Sequence, residues 1–178
     1  LFPGATVHVH GPELDRVAAG GTDWATSVAA PRLLDGRDVV RFEAGQTVAG
    51  FETLSTPGHA EHHVSFLAEA DGTRFGLVGD AVKNLREFRT RAPTAIHDAA
   101  VAADTIDRLA ERLDLVVPGH DVPFYVDADG GATPCGDVEL TVSLQAGGDA
   151  GVRVGAATDR TDPRPLPSFV NDRTGTLG

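Results

Sequence analysis

The sequence predicts an α/β layered fold, because strand-like apolar runs are interrupted by a long segment of helical periodicity and then resume. The chain has 178 residues, of which 41% are hydrophobic and 23% are charged. This length and composition suit one domain with a buried core. No internal repeat or linker is visible. We therefore assign residues 1–126 to the main body of one domain and residues 127–178 to a C-terminal hairpin and irregular tail of the same domain.

In the first third of the chain, alternating β-branched residues indicate strands, and Pro and Gly mark the ends of elements. Pro near the start of a helix and Gly after its end are the preferred positions for these residues. We accordingly predict a strand at 5–10, a short helix from near Pro12 to the Gly20-Gly21 pair, a loop at 21–37, and strands at about 38–43 and 48–54 joined by a turn at 44–46.

Further along, HVSFLAEADGTRFGLVGD predicts a hairpin around Asp71-Gly72, since Asp-Gly between apolar runs is a strong turn signal. DLVVPGH predicts a short buried strand, VELTVSL and GVRVGAAT a closing hairpin, and the Pro- and Gly-rich end an irregular tail packed through Phe169 and Val170. Apolar residues recur with a helical period between about Thr94 and Leu113, at Ile96, Ala100, Ala103, Ile106, Leu109, Ala110 and Leu113.

The charge pattern argues against nucleic acid or an anionic membrane as the main partner. The formal net charge is −11 and Lys83 is the only lysine, whereas phosphate binding needs concentrated Lys and Arg. A surface rich in Asp suits a halophilic source, but a GC-rich genome also replaces Lys with Arg. No apolar stretch approaches the roughly 20 residues that span a bilayer. With Cys135 as the single cysteine, no internal disulfide is possible, and we predict a cytoplasmic protein.

The start of the sequence also shapes the prediction. The chain contains no Met and begins directly with LFPGATVHV, a turn that leads into a strand. Processing, a cloning boundary, an unusual start codon or a truncated reading frame would each explain this. We expect the chain to be the C-terminal portion of a larger fold.

Three short motifs each place a potential ligand directly after an apolar strand. They are STPGH (55–59), LVGD (77–80) and VVPGH (116–120). The end of a strand fixes the backbone, and the following turn projects one side chain above the edge of the sheet. Two imidazoles and a carboxylate from three such turns form a nitrogen/oxygen site that suits zinc, with iron or manganese as alternatives. The alternative interpretation makes the two histidines turn residues and the Asp a cap.

With these motifs in this order, the chain resembles the metallo-β-lactamase superfamily over about residues 1–126. The resemblance lies in LFPGATVHVHGPELD, TPGHAEHHVSF, FGLVGDAV and LDLVVPGHDVPF, and the second of these is similar to the glyoxalase-II type. It implies an αβ/βα sandwich with a one- or two-metal site at its edge. By motif, it implies that His59 completes the ligand set of the first metal, that Asp80 bridges both metals and takes part in catalysis, and that His120 binds the second metal.

The H-x-H-x-D-H loop of the superfamily is expected upstream of ATVHVH, and nothing here supplies it. We therefore expect an N-terminally incomplete sandwich that holds about half of a two-metal site. Without the early strands, the sheet would expose apolar faces and an unpaired edge. We accordingly predict that the chain alone is marginally stable, associates with itself, or pairs with a missing N-terminal portion.

Other histidines are further candidate ligands. His8 and His10 lie on one side of a predicted strand and could bind a metal together. No D-H follows them, however, and their surroundings match the next strand of the superfamily better. We expect packing or hydrogen bonding near the site for His63, and a solvent-facing or groove-lining position for His62. His97, at the start of the predicted helix, is expected to be structural.

Two further residues keep simpler roles. Asp121, directly after His120, could orient a ligand as a hydrogen-bond acceptor or cap a turn, and both interpretations stay open. Cys135 has no neighbouring basic residue in sequence, so we expect no reactive thiol.

Two functional hypotheses follow. The first is a metal-dependent hydrolase that activates water for attack on an ester, thioester or related bond of a small molecule. The second is a catalytically silent remnant, scaffold or subunit of the same fold that lacks half of the metal site. The sequence does not reveal the substrate, because specificity lies in loops that vary on one scaffold.

Overall fold

The computed structural model describes residues 4–21, 34–94 and 97–135, and the backbone of residues 138–143 and 151–156. The predicted tail packing of Phe169 and Val170 lies outside these residues, as does most of the predicted loop at 21–37. The helices are α1 (Gly11–Ala18), α2 (Leu85–Thr90) and α3 (Ala99–Arg112). The strands are β1 (Val7–His10), β2 (Val39–Phe42), β3 (Thr47–Val48), β4 (Phe51–Ser55), β5 (Val64–Ala70), β6 (Thr73–Gly79), β7 (Leu115–Pro118), β8 (Phe124–Val126), β9 (Ala132–Pro134), β10 (Val138–Ser143) and β11 (Gly151–Ala156).

The main feature is a seven-stranded sheet in the order β3-β4-β5-β6-β7-β8-β9. Neighbouring strands are antiparallel except for β6 and β7, which run parallel. Parallel neighbours need a long connection, and helices α2 and α3 lie within this one. The ends of β6 and β7 therefore meet at one edge of the sheet, where the second and third sequence motifs come together.

Two small sheets accompany the main one. Strands β1 and β2 pair in parallel around helix α1, and β10 pairs with β11 in an antiparallel hairpin. The closing hairpin is therefore confirmed. The stretch that predicted two strands around a turn at 44–46 contains three, because a second turn at Ala49-Gly50 separates β3 from β4. Strand β2 pairs with β1, a partner more than 30 residues away that local periodicity cannot indicate.

The two faces of the main sheet carry different apolar clusters. Successive residues of a strand point to opposite faces, so Val116 packs in the helix-side cluster while its neighbour Leu115 packs on the other face. The helix-side cluster is the larger one, and burial of its side chains provides most of the apolar stabilisation. Its members are Leu67, Val78, Ala81, Val82, Phe88, Ile106, Leu109, Leu113, Val116, Phe124 and Ala132. The smaller cluster consists of Phe75, Leu115 and Cys135.

The hairpin predicted at Asp71-Gly72 is confirmed, with positive φ angles of 51° and 72° at these two residues. Such a pair of left-handed residues matches the twist of the flanking strands. The long helix begins later than predicted, at Ala99, because the Asp98 carboxylate accepts from the backbone N–H of Val101 and caps it. His97 therefore precedes the helix, and Ala100, predicted on its apolar face, is exposed.

Helix α2 and strands β8 and β9 were not predicted. Asn84 caps α2 by accepting from the backbone N–H of Glu87, and Arg91 ends it in a left-handed conformation. The Lys83 ammonium lies beside this helix, paired with the Glu87 carboxylate at 3.3 Å, and both side chains are largely buried. Among the described residues, none of the helices has the length and apolar character needed to cross a bilayer.

Candidate metal site

His59 is held by a turn that packs directly on helix α3. Gly58 has a φ of +129°, and a Cβ there would lie 2.3 Å from the Ala102 Cα, so only glycine allows this approach. The Gly58 carbonyl accepts from the backbone N–H groups of His97 and Asp98, both at 2.9 Å. Thr105 donates its hydroxyl to the Pro57 carbonyl at 2.7 Å. The turn is therefore fixed from the helix side, and the His59 side chain is buried.

Asp80 and His120 stand on two turns that are hydrogen-bonded to each other. The backbone N–H of Gly119 donates to the Val82 carbonyl at 3.2 Å, and that of His120 donates to the Lys83 carbonyl at 2.8 Å. A Cβ on Gly119 would lie 2.3 Å from Asp80 Oδ1. Glycine before His120 is therefore required for the carboxylate to approach this turn.

The three predicted residues come together around the Asp80 carboxylate. Its Oδ2 lies 3.3 Å from His59 Nε2, and its Oδ1 lies 3.1 Å from His120 Nε2. His59 is 6% exposed and His120 is 62% exposed, so the carboxylate links the interior to the surface. Each oxygen serves a different imidazole, which is the arrangement that a bridging carboxylate would need.

The chemistry of these donors suits a metal ion, but their arrangement does not group them around one ion. Imidazole nitrogen and carboxylate oxygen suit zinc, iron or manganese. Across the described parts of the chain, however, no three or more His, Cys, Asp or Glu side chains are grouped so that they could hold one ion. The geometry is two pairs that share Asp80, rather than three donors around a single point. Metal binding by these residues therefore stays a prediction.

A cleft of about 480 Å³ opens beside His59 and Asp80. Its polar wall also includes His8 and His10, the two histidines weighed as ligands from the sequence. His10 Nδ1 lies 3.0 Å from the His62 carbonyl, so this histidine is engaged with the loop that follows the His59 turn. The apolar wall consists of Val9, Phe42, Ala60, Val64 and Phe66. The cleft is thus lined by both apolar and titratable side chains.

His63 lies next to His59, with the two rings perpendicular and their centroids 6.1 Å apart. Burial lowers the pKa of His63 to about 4, and the neighbouring His59 adds to this lowering. Its Nδ1 lies 2.8 Å from the Thr56 hydroxyl. The predicted hydrogen-bonding position near the site is therefore what the structure shows. His62 lines the same cleft, as one of the two expectations had it.

The remaining candidates are structural. Asp121 accepts from the backbone N–H groups of Leu85 and Val122, so of its two interpretations the structure favours the cap. The His97 side chain is exposed, while its backbone N–H supports the His59 turn. Cys135 is buried in the smaller apolar cluster.

Sequence reasoning missed the residues that support the site. Thr105 and Ala102 contact the His59 turn from a helix more than 40 residues away, and no local pattern pairs them with it. A signal for Gly119 was present, since glycine directly precedes each of His59, Asp80 and His120. Only the three-dimensional structure, however, shows that Gly119 leaves room for the Asp80 carboxylate.

No protein-family model matches the chain, and no curated protein is significantly similar to it. Solved structures are similar. One is described as the hydrolase AbOPH in the β-lactamase superfamily, with 19% identity over 75% of this chain and 55% of that one, at a TM-score of 0.55. Another is an N-acyl homoserine lactone hydrolase with its product at the catalytic metal centre, with 23% identity, 68% and 49% coverage, and a TM-score of 0.54.

A third is AidC, a dizinc quorum-quenching lactonase, with 15% identity over 75% of this chain and 55% of that chain, at a TM-score of 0.53. The present chain spans about half the length of these structures. At such identities the likeness concerns the fold. The chain therefore has the metallo-β-lactamase-like α/β fold that its motifs predicted, over about half the length of the solved examples.

Proposed function

We propose that this chain carries part of the active site of a metal-dependent hydrolase. The observation that carries the proposal is the Asp80 carboxylate, whose two oxygens lie 3.3 and 3.1 Å from the Nε2 atoms of His59 and His120. The fold class and the neighbouring hydrolases support it. The proposed reaction is attack of water on an ester, thioester or related bond of a small molecule.

In this proposal, His59, Asp80 and His120 would hold metal, with Asp80 as the carboxylate shared between the two histidines. Zinc is the expected ion, with iron or manganese as alternatives. When bound, the metal supplies acidity to water near neutral pH and positive charge to a developing oxyanion. The chain itself contributes orientation, since the turns of all three residues are tied to α3 or to each other.

We propose a second task for the chain, on the basis of the residues that line the cleft. The apolar wall of the cleft, formed in part by Phe42 and Phe66, would hold the non-reacting part of a small molecule and exclude water from it. The net charge of −11 disfavours a nucleic-acid substrate.

The alternative is a catalytically silent scaffold or subunit of the same fold. One observation favours it, namely that the described residues do not group three donors around one metal position. In that case His59, Asp80 and His120 would act as a hydrogen-bonded structural link between the three strand ends. A partner chain with further ligands would then be needed for activity.

Metal content decides between the two. We would dialyse the purified chain against zinc, measure bound metal by elemental analysis, and assay hydrolysis of a simple ester, thioester and lactone. The hydrolase proposal expects about one or more equivalents of metal in the wild type and a loss in His59→Ala, Asp80→Ala and His120→Ala. Asp104→Ala, an exposed carboxylate on helix α3, is the matched control and should retain the metal. Wild type without metal would overturn the proposal and favour the scaffold.

A further inference from the structure

A buried chain of hydrogen bonds leads from strand β6 to the wall of the cleft. Ser65 Oγ lies 3.4 Å from the Val78 carbonyl oxygen and 2.9 Å from Thr56 Oγ1. Thr56 Oγ1 in turn lies 2.8 Å from His63 Nδ1. Ser65 and Thr56 have no exposed surface, so their hydroxyl groups are shielded from bulk water.

The donor and the acceptor of each of these hydrogen bonds can be assigned. A carbonyl can only accept, so the single hydroxyl hydrogen of Ser65 is donated to Val78. The Thr56 hydroxyl then donates to Ser65, and the Thr56 oxygen is left to accept from His63 Nδ1–H. The opposite direction would leave the Ser65 and Val78 oxygens facing each other without a hydrogen between them. Only the first direction satisfies all three contacts, and it places the ring hydrogen of neutral His63 on Nδ1.

The position of the ring is fixed as well. The backbone N–H of Thr56 donates to the His63 carbonyl at 2.9 Å, so Thr56 holds this residue through both its backbone and its side chain. His63 Nε2 faces Gly79, where a Cβ would lie 3.5 Å away, and the missing side chain leaves this edge of the ring open. Within the described residues, no group hydrogen-bonds to Nε2, and His63 lines the cleft.

We infer that Ser65 and Thr56 are positioning residues that hold His63 as the Nδ1–H tautomer, so that its Nε2 lone pair is a hydrogen-bond acceptor on the cleft wall beside His59 and Asp80. The group that it accepts from is an N–H or O–H of a molecule bound in the cleft. This inference adds a binding group to the proposed function. It rests on that function where the bound molecule is the substrate. An amide next to the scissile bond is one group that offers such a hydrogen.

The tautomer is measured by long-range ¹H–¹⁵N correlation spectra of the metal-free protein, with the His63 resonances identified by their loss in His63→Asn. We expect the hydrogen of His63 on Nδ1 in the wild type and in Thr56→Ser. In Thr56→Val the acceptor is removed, and the ring should shift towards the Nε2–H form that neutral histidine prefers in water. A wild-type ring with its hydrogen on Nε2 would overturn the inference. So would a Thr56→Val spectrum that still shows the Nδ1–H form.

The acceptor role is tested with two small probes, N-methylacetamide and N,N-dimethylacetamide, which differ by one N–H. N-methylacetamide should shift the His63 Nε2 resonance in a saturable way, whereas N,N-dimethylacetamide should not. If both probes act alike, or neither acts, Nε2 is not an available acceptor. Neither measurement involves bound metal or turnover, so a failure here is distinct from an absence of metal at His59, Asp80 and His120.

Discussion

At the scale of single residues, Gly58 shows how closely the His59 turn and helix α3 approach each other. Alanine at this position would place its Cβ 2.3 Å from the Ala102 Cα and would have to adopt a φ of +129°. We expect Gly58→Ala to lower the free energy of unfolding by on the order of 3 kcal/mol, from overpacking and backbone strain together. Urea unfolding followed by circular dichroism measures this loss.

Gly72→Ala is the matched control for Gly58→Ala. Gly72 also has a positive φ, of +72°, but a Cβ there meets no atom within 4 Å. We expect Gly72→Ala to lower the free energy of unfolding by only about 1 kcal/mol, from backbone strain alone. Equal losses in the two variants would show that the contact with Ala102 does not limit position 58.

Glu87 is a buried carboxylate surrounded by donors. Burial alone would raise its pKa, but hydrogen bonds from Thr94 and Lys83 outweigh burial and hold the pKa below its ordinary value of 4.5. Because the pKa is lower in the folded state, the ionised carboxylate stabilises the fold above the unfolded pKa. This stabilisation is lost as the pH falls through the folded value.

We therefore expect Glu87→Gln to lower the free energy of unfolding by about 1.5–3 kcal/mol near neutral pH, since hydrogen bonds to a charged group are lost. The difference from the wild type should shrink once the pH falls below 4.5, the ordinary value. Denaturant unfolding at a series of pH values checks this. The exposed Glu111→Gln on helix α3 serves as control, and a difference that grows on acidification would contradict the assignment.

At the scale of elements, helix α3 is both a core element and the support of the His59 turn. The residues just before it, His97 and Asp98, donate their backbone N–H groups to the turn, and its second turn supplies the Thr105 hydroxyl. The same buried side of the helix packs Ile106 and Leu109 in the helix-side cluster. Loosening the first turn of α3 should therefore affect both the stability of the helix and the order of the His59 turn.

Asp98→Ala removes the side-chain cap of α3, in which Oδ1 accepts from the Val101 N–H at 3.0 Å. We expect a loss of about 1 kcal/mol in the free energy of unfolding. Faster amide hydrogen exchange at His97 and Asp98, whose N–H groups donate to Gly58, should accompany it. Asp104→Ala on an exposed position of the same helix should change neither quantity. Unchanged exchange in Asp98→Ala would mean that the turn is held independently of the cap.

How far the sequence could predict these elements depends on the range of the contacts that form them. The hairpin at Asp71-Gly72 and the strand before His120 follow from local signals, and both are present. Helix α2 is six residues long with three charged side chains, and no apolar period can emerge over that length. Strands β8 and β9 have three residues each, and their pairing with β7 and with each other, rather than their composition, makes them strands.

The same distinction applies to the candidate site. Each of His59, Asp80 and His120 was predictable because a strand, a glycine and a potential ligand follow one another within a few residues. The approach of His120 to Asp80 depends on the parallel pairing of β6 with β7, and that of His59 depends on the packing of its turn on α3. The hydrogen bonds between Ser65, Thr56 and His63 join residues on both sides of the His59 turn. No local sequence pattern predicts them.

At the scale of the whole molecule, the described residues cover only part of the sheet face opposite helices α2 and α3. Leu77 on this face is 41% exposed, and its neighbours Phe51 and Phe66 are half-buried. Apolar surface of this kind favours association. This exposed apolar surface is the structural basis for the prediction that the chain is marginally stable or associates.

We expect the sedimentation coefficient of the wild type to rise with protein concentration, and that of Leu77→Arg to rise less, because a charge on the open face opposes contact. Val101→Arg is the control, since Val101 is 36% exposed but lies on helix α3. Analytical ultracentrifugation over a concentration series measures both. A concentration-independent monomer with a sharp, reversible thermal transition would contradict the prediction.

The pairing of Lys83 with Glu87 also determines how the molecule can be handled chemically. Lys83 is the only lysine in the sequence, and its side chain is 12% exposed and bound to a carboxylate. Succinimidyl esters and aldehydes attack accessible amines, and this side chain is largely buried against Glu87. Such reagents should therefore modify Lys83 only slowly while the chain is folded. A label on Lys83 should enter when the fold opens, so its rate of entry would report on unfolding.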